Sequence, residues 1–255
     1  MPLTSEQERT VLTLLSKGAS IGDSGLQVAL GIMEEEVIAA LGPTHFMAND
    51  SASLRRFLVA RKLKLEPTVA MIQQHTAWCE STLPVALEGA VLVEACKGKA
   101  EVHGTDCAGR PLVIIHSGKF DPKTRDLQAS IHACFYLFEN ALKSLPPGQT
   151  QFAVLYDRSN FSFAKNWDFD VLKAVFTQLS ANYPECLGAA YVYPAGPPLS
   201  WLWGLVKIFL DPRTRAKVRM ISSKEELLAA IPTEFVPVAF GGTSTHEFDP
   251  AQLTQ

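Results

Sequence analysis

The stretch LSWLWGLVKIFL, Leu199 to Leu210, constrains the architecture more than any other part of the chain. Wound as a helix, it places Ser200, Gly204, Lys207 and Asp211 on one narrow stripe. Trp201, Leu202, Trp203, Leu205, Val206, Ile208, Phe209 and Leu210 cover the rest of its surface. Twelve residues make about 18 Å of helix and a membrane span needs roughly 20 residues, so the segment is too short to cross a bilayer. Three placements remain: a buried core helix, the cover of a cavity, or a membrane surface. The two tryptophans flank a leucine and point in different directions, each with an indole N–H that needs a partner or a wet interface. Arg213, Arg215, Lys217 and Arg219 follow directly, cations that complement a helix C-terminus or meet anionic head groups. An apolar helix followed by cations is what a lid over a lipid pocket requires.

With 255 residues, 47% hydrophobic and 19% charged, the chain can bury one large core, or a core plus a small helical domain. Its 23 basic and 26 acidic residues leave a formal charge of −3, with no basic run beyond the local cluster. Nucleic acid is excluded as a main partner, because neutralising phosphates takes a broad cationic surface. Cys79, Cys96, Cys107, Cys134 and Cys186 are odd in number and irregularly spaced, which reads as reduced thiols rather than a disulfide frame or a zinc site. The first residues are polar and form no signal peptide. The expectation is a cytoplasmic protein, peripheral at membranes.

Capping and periodicity predict helices over Ser5–Lys17, Leu26–Leu41 and Ser51–Leu63, the last with Leu54, Phe57, Leu58 and Leu63 inward. A fourth, entered through Pro67, aligns Met71, Ile72, His75 and Trp78. Residues 1–93 therefore read as a helical module. From Ala95 the pattern becomes strands and helices: AEVH and PLVIIHS around the turn GTDCAGR, a helix over Asp126–Leu145 and the strand FAVLYD. A helix over Asp168–Asn182 follows, with Phe169 inward, then the strand LGAAYVYP, the apolar helix, the strand VRMI and a helix capped by Ser222 or Ser223. Strands separated by helices predict an α/β domain over 94–242 with a mixed, mostly parallel sheet, followed by a loose tail over 243–255.

The chain has no GxSxG elbow, phosphate loop, GxGxxG fingerprint or HExxH. His103, Asp106 and Cys107 surround a glycine-bearing turn whose chemistry accounts for Asp106, and His116 stands at a strand end with no partner near it in sequence. No catalytic residue, metal ligand or cofactor is expected, and the chain does not read as an enzyme.

Several segments resemble one family in order. LRRFLVARKLKLEPTVAMIQQHTAW is similar to the helical amino-terminal module of the CRAL-TRIO lipid-binding proteins, and GTDCAGRPLVII to their Asp-x-x-Gly-Arg-Pro turn and strand. FAVLYDRSNFSF, YPECLG, IFLDPRTRAKVRMI and VPVAFGG resemble later elements. The set is most similar to the phosphatidylinositol and phosphatidylcholine transfer proteins of the secretory pathway. That resemblance implies a sheet flooring an apolar pocket for one phospholipid, under a gate helix that opens at a membrane. Leu199–Leu210 takes the gate's place, with Trp201, Trp203, Leu205 and Phe209 as gate and membrane contacts.

By the same resemblance Glu185, Thr214, Lys217 and Arg61 match positions that hold the inositol phosphate head group, and Ser162 matches a serine of the choline-lipid pose. The chemistry fits: cations neutralise a phosphodiester, a threonine hydroxyl donates to it, and a carboxylate accepts from ring hydroxyls or orients the cation. Three positions depart from the pattern. Cys186 stands for arginine, PAGPP for Asn-Ala-Pro, and Ala164 for a hydroxyl residue. The function implied is binding of phosphatidylinositol, and of phosphatidylcholine as a second ligand, with transfer or presentation between membranes and a lipid kinase as downstream partner. A carrier of a sterol, tocopherol or retinoid, and a lipid-regulated scaffold for a kinase or small GTPase, are the alternatives.

Overall fold

The computed structural model describes residues 23–196 and 199–254. The helix expected over Ser5–Lys17 lies outside them. The chain divides after Ser81 into two compact units.

In the first unit, α1 (Asp23–Leu41), α2 (Ser51–Ala60) and α3 (Leu65–Thr82) follow the apolar periodicity. Asp50 caps α2 by accepting from the Ser53 N–H, so Leu54, Phe57 and Leu58 fall on one stripe and are buried with Val37, Met47, Met71 and Ile72. Lys62 and Leu63 take positive φ and end α2 sooner than the apolar pattern does. His75 and Trp78 are half-buried on α3 with stacked rings, and the His75 ring lies 3.3 Å from the Cys79 thiol.

The second unit is organised by a five-stranded sheet in the order β1 (Ala100–Thr105), β2 (Pro111–His116), β3 (Phe152–Asp157), β4 (Leu187–Tyr193) and β5 (Val218–Met220). The β1–β2 pair is antiparallel, and the other three pairs are parallel. The mixed, mostly parallel sheet expected from the strand and helix pattern is therefore present. The turn between β1 and β2 is built on Asp106, which accepts from the Ala108 and Arg110 N–H groups and, at 2.8 Å, from Arg110 Nε. Helices α4 (Gly89–Cys96), α5 (Leu127–Lys143), α6 (Phe163–Asn166), α7 (Phe169–Asn182), α8 (Leu199–Val206), α9 (Pro212–Ala216) and α10 (Lys224–Ala230) surround it. Asp126, Asp168 and Ser223 cap α5, α7 and α10 through side-chain oxygens.

Strand alternation gives the sheet two unlike faces. Leu112, Ile114, Ala153, Leu155, Ala189 and Tyr191 point one way and are sealed against Leu227, Ala230, Ile231 and Val236. The opposite face carries two aligned rows, Val102–Val113–Val154–Ala190–Val218 and Ala100–Ile115–Tyr156–Val192–Met220, one residue from each strand. Every member is apolar or aromatic, yet only Val113 is buried. Phe138 of α5 stacks on Phe152 at 5.4 Å on this side, and α7 packs on α5. Phe169, expected inward, is 46% exposed at the start of α7, where it meets Phe209 edge-on.

His116, without a neighbour in sequence that explains it, is placed between two acids at the end of β2. Its Nδ1 reaches Asp157 at 3.2 Å and its Nε2 reaches Glu101 at 3.0 Å. Burial alone would lower its pKa; the hydrogen bonds to Asp157 and Glu101 outweigh that and hold it at about 9.

Two outcomes follow from this frame. Leu155→Ala, at 1% exposure on the sealed face, should cost about 2–5 kcal/mol of stability. Val154→Ala on the open face should cost about half of that or less, as read from denaturant midpoints. The second concerns pH. Because the folded His116 value lies above the unfolded value near 6.5, its stabilisation is complete below that value and is lost as pH rises through about 9. Unfolding curves at pH 6.5 and 9.5 should show this loss in the wild type and a smaller one in His116→Gln; equal losses would contradict the network.

Candidate functional site

Parallel pairing decides which side chains meet at the ends of the sheet. Glu185 stands two residues before β4 and Lys217 one before β5, so both emerge at the edge where the parallel strands begin. The Ala190 N–H donates to the Lys217 carbonyl at 3.0 Å, tying the two approaches together. Lys217 Nζ then donates to Glu185 Oε2 at 2.9 Å, and Arg213 Nη1 from α9 donates to Glu185 Oε1 at 3.3 Å. One carboxylate thus gathers two cations.

Glu185 has φ +56, the left-handed region that a residue with a side chain occupies at a cost of about 1–3 kcal/mol. Its neighbours hold it there. Tyr183 and Cys186 are buried on either side, and the Tyr183 hydroxyl donates to Glu139 at 2.8 Å. The Cys186 side chain that stands for arginine is a small buried thiol, so it brings no charge to Glu185, and Arg213 and Lys217 provide the cations instead.

Thr214 is fixed by Asp211, which caps α9 by accepting from the Arg213 and Thr214 N–H groups, with Pro212 at the first helical position. Asp211 Oδ2 also accepts the Thr214 hydroxyl at 2.6 Å. Burial would raise the Asp211 pKa, and the hydroxyl and the two N–H donors bring it below the usual carboxylate range. A hydroxyl has one proton, so Thr214 Oγ1 in this arrangement offers a ligand lone pairs rather than a hydrogen. The sequence pointed to a donor at this position; here the hydroxyl donates to Asp211.

Ser162 lies elsewhere. It follows the other end of β3, which at about 3.3 Å per residue is roughly 17 Å along the strands from the Glu185 edge. There its N–H donates to Asn166 Oδ1, and the Asn166 amide holds the Gly118 and Phe120 carbonyls. Arg61 belongs to the first unit, where its N–H closes the end of α2. The structure therefore brings Glu185, Thr214 and Lys217 together, adds Arg213 and Asp211, and leaves Ser162 at the far edge. Arg213 was legible only as one member of a basic run.

The apolar segment forms a shorter helix than its pattern suggests. The eight residues of α8 pass into a 3-10 turn, Lys207–Phe209, and Leu210 is buried. Trp203 and Leu205 are half-buried, and Ile208 is 66% exposed. The Trp201 side chain lies outside the described residues. Between Tyr193 and Val218 the chain runs from the far edge of the sheet back to the Glu185 edge, so α8 begins at one end of the strands and α9 finishes at the other.

His103, Asp106 and Cys107 form no nucleophile and base pair. Asp106 is occupied by Arg110 and by the Tyr191 hydroxyl at 3.0 Å, and Cys107 is exposed. His116 keeps its proton through neutral pH and is no base there. Among the described residues no group of His, Cys, Asp or Glu could hold a metal ion, and no helix is long and apolar enough to cross a membrane.

Comparison with known proteins matches residues 96–242 to the CRAL/TRIO domain. A protein of Eremothecium gossypii named phosphatidylinositol transfer protein CSR1 is 27% identical over 209 residues, which cover 77% of this chain and 48% of that protein. An Arabidopsis thaliana protein named phosphatidylinositol/phosphatidylcholine transfer protein SFH9 is 27% identical over 246 residues, 87% of this chain and 42% of that protein. The chain thus spans about half the length, or less, of these curated relatives. The crystal structure of Sfh5 superposes with a TM-score of 0.64 at 17% identity, covering 97% of this chain and 91% of that one, a likeness of fold. The matched region takes in the whole sheet from β1 to β5 and both Glu185 and Lys217, more than half of the sequence, and the chain belongs to the CRAL/TRIO domain family.

Proposed function

We propose that this chain binds a single phospholipid, phosphatidylinositol, and transfers or presents it between membranes as a peripheral cytoplasmic protein. The observation that carries the reading is an apolar, incompletely covered sheet face in the same unit as a carboxylate flanked by two cations. Acyl chains suit the two rows from Val102 to Val218 and from Ala100 to Met220, where each buried CH₂ is worth about 0.8 kcal/mol. The phosphodiester suits Lys217 and Arg213. The inositol hydroxyls, as donors, suit Glu185 and the acceptor face of Thr214. The names of the relatives support the same lipid class. No bond is made or broken in this reading, so the chain acts as a carrier rather than an enzyme.

A bound lipid shielded from water has to leave at a bilayer interface. In this proposal α8 and the Lys207–Phe209 turn are the part that opens, with Ile208 outward and Trp203, Leu205 and Phe209 turning to the membrane. Choline has no hydroxyl donors for Glu185 and Thr214. Phosphatidylcholine would therefore bind with its head group elsewhere, Ser162 at the far edge being the residue suited to it.

Native mass spectrometry after incubation with mixed-phospholipid vesicles tests the head-group assignment. A one-to-one phosphatidylinositol adduct is expected, reduced at least tenfold in Lys217→Ala. The same adduct in both proteins would reject the site, and a sterol or other apolar adduct in both would favour the apolar-carrier reading. For the gate, Ile208→Asp should slow transfer between vesicles several-fold while leaving the fraction of protein with bound lipid unchanged; equal transfer rates would remove this turn from the opening step.

A further inference from the structure

Residues 243–254, expected as a loose tail, are held along the outer edge of β1. The Thr243 and Ser244 N–H groups donate to the Thr233 and Val236 carbonyls at 2.9 and 3.0 Å. Pro237 and Ser244 form an isolated bridge, and a 3-10 turn over Pro250–Thr254 packs near α4. Behind the segment lies a cavity of about 240 Å³, whose lining includes Glu94, Lys99, Cys134, Leu137, His246 and Phe248. Ala100 and Val102, the β1 members of the two apolar rows, also line it.

The attachment is centred on two histidines. His246 Nε2 meets Glu101 Oε2 at 2.6 Å, and the His246 ring lies flat on His103, 3.8 Å between centroids and 7° from parallel. His103 is boxed in by Phe235, edge-on at 5.7 Å, and its Nε2 lies 3.5 Å from Ser244 Oγ. Gly104 beside it has φ +67, and the Phe235 ring occupies the space a Cβ would take, so the packing around the stack leaves little slack.

The acids around the stack are already engaged by other groups. Glu101 already serves both His246 and His116, and Asp157, the other acid of the network, is engaged by His116 and by the Ser159 N–H. Glu94 is committed to Lys97 and Lys99, and Lys119 stands over the Phe248 ring of the segment. Asp249 lines the cavity on the segment itself. Two imidazolium rings face to face at 3.8 Å would repel, and Glu101, the carboxylate bonded to this stack, is already shared by His246 and His116.

We propose that residues 243–254 form an acid-released strap: protonation of His103 beneath the stacked His246 ring drives the strap off the edge of β1 and widens the cavity it lines. The direction agrees with the titration of His103. Burial, and then the charge of His246, lower its pKa, against the opposing effect of Glu101. The released state therefore binds the proton more readily than the docked state, and release grows as pH falls below about 6.5. His116, charged on both sides of that range, does not contribute to the switch.

Hydrogen–deuterium exchange of the full chain at pH 7.5 and 5.0, expressed as protection factors so that the intrinsic pH dependence cancels, reads the strap through the Thr243 and Ser244 amides. Protection is expected to fall at least tenfold at pH 5.0 in the wild type and to persist in His103→Phe, which keeps an aromatic ring in the stack without a titratable group. Should His103→Phe disturb the strap at pH 7.5, His246→Gln, which keeps a donor for Glu101, carries the same expectation. Equal protection at the two pH values in the wild type, or a loss in the variants as large as in the wild type, would overturn the proposal.

Discussion

Strict period-two alternation along three adjacent parallel strands is what the rest of the second unit depends on. Because β2, β3 and β4 pair without a slip from Ala153 onward, one set of side chains faces α10 and its flanking turns, and the other forms two continuous apolar rows. A shift of one residue would exchange the sets and expose Leu112, Leu155 and Tyr191. Parallel strands also sort the loops by end. What enters the parallel strands β2 to β5 lies at one edge with Glu185 and Lys217, and what leaves β3 and β4 lies at the other with Ser162 and the approach to α8. The separation of the Glu185 edge from the edge where α8 begins is thus a consequence of strand direction.

Much of this was legible in the sequence where the signal is local. Asp50, Asp126, Asp168 and Ser223 stand directly before apolar periodic runs and act as caps, because a side-chain oxygen at that position satisfies the otherwise unpaired N–H groups of the first turn. The Asp-x-x-Gly-Arg turn and the strands PLVIIH and FAVLYD were equally readable. Three features were not. The partners of His116 lie 15 and 41 residues away, so its environment depends on pairing between three strands. The exposure of Phe169 follows from its place at the first residue of α7, outside the stripe that its own helix buries. The end of α8 is set where the chain tightens into the Lys207–Phe209 turn, although the residues beyond are as apolar as those before.

The candidate head-group site was legible by resemblance as a set of residue types, and the structure supplied the hydrogen bonding. Thr214 was expected to donate because hydroxyls next to phosphates do so. Asp211, three residues earlier, accepts that hydrogen bond, which leaves the Thr214 hydroxyl with only lone pairs to offer. Arg213 gained weight for the same local reason: capping by Asp211 fixes the first turn of α9, which turns Arg213 towards Glu185.

Two ion pairs near the entering ends of the parallel strands differ in how firmly they are held, a difference that bears on the proposed head-group site. Asp106, with its side chain 0% exposed, holds Arg110 and the Tyr191 hydroxyl; removing Arg110 would leave a buried charge unpaired, at a cost of several kcal/mol. Glu185 and Lys217 are 20% and 21% exposed, and Arg213 is 58% exposed. Water already reaches these groups, and pairs of this kind contribute about 0–1 kcal/mol. A phosphodiester that takes over the cations, while ring hydroxyls take over the carboxylate, therefore gives up little and adds charge-assisted bonds of its own. The Glu185 cluster holds its cations loosely enough to exchange them, as the proposed head-group site requires.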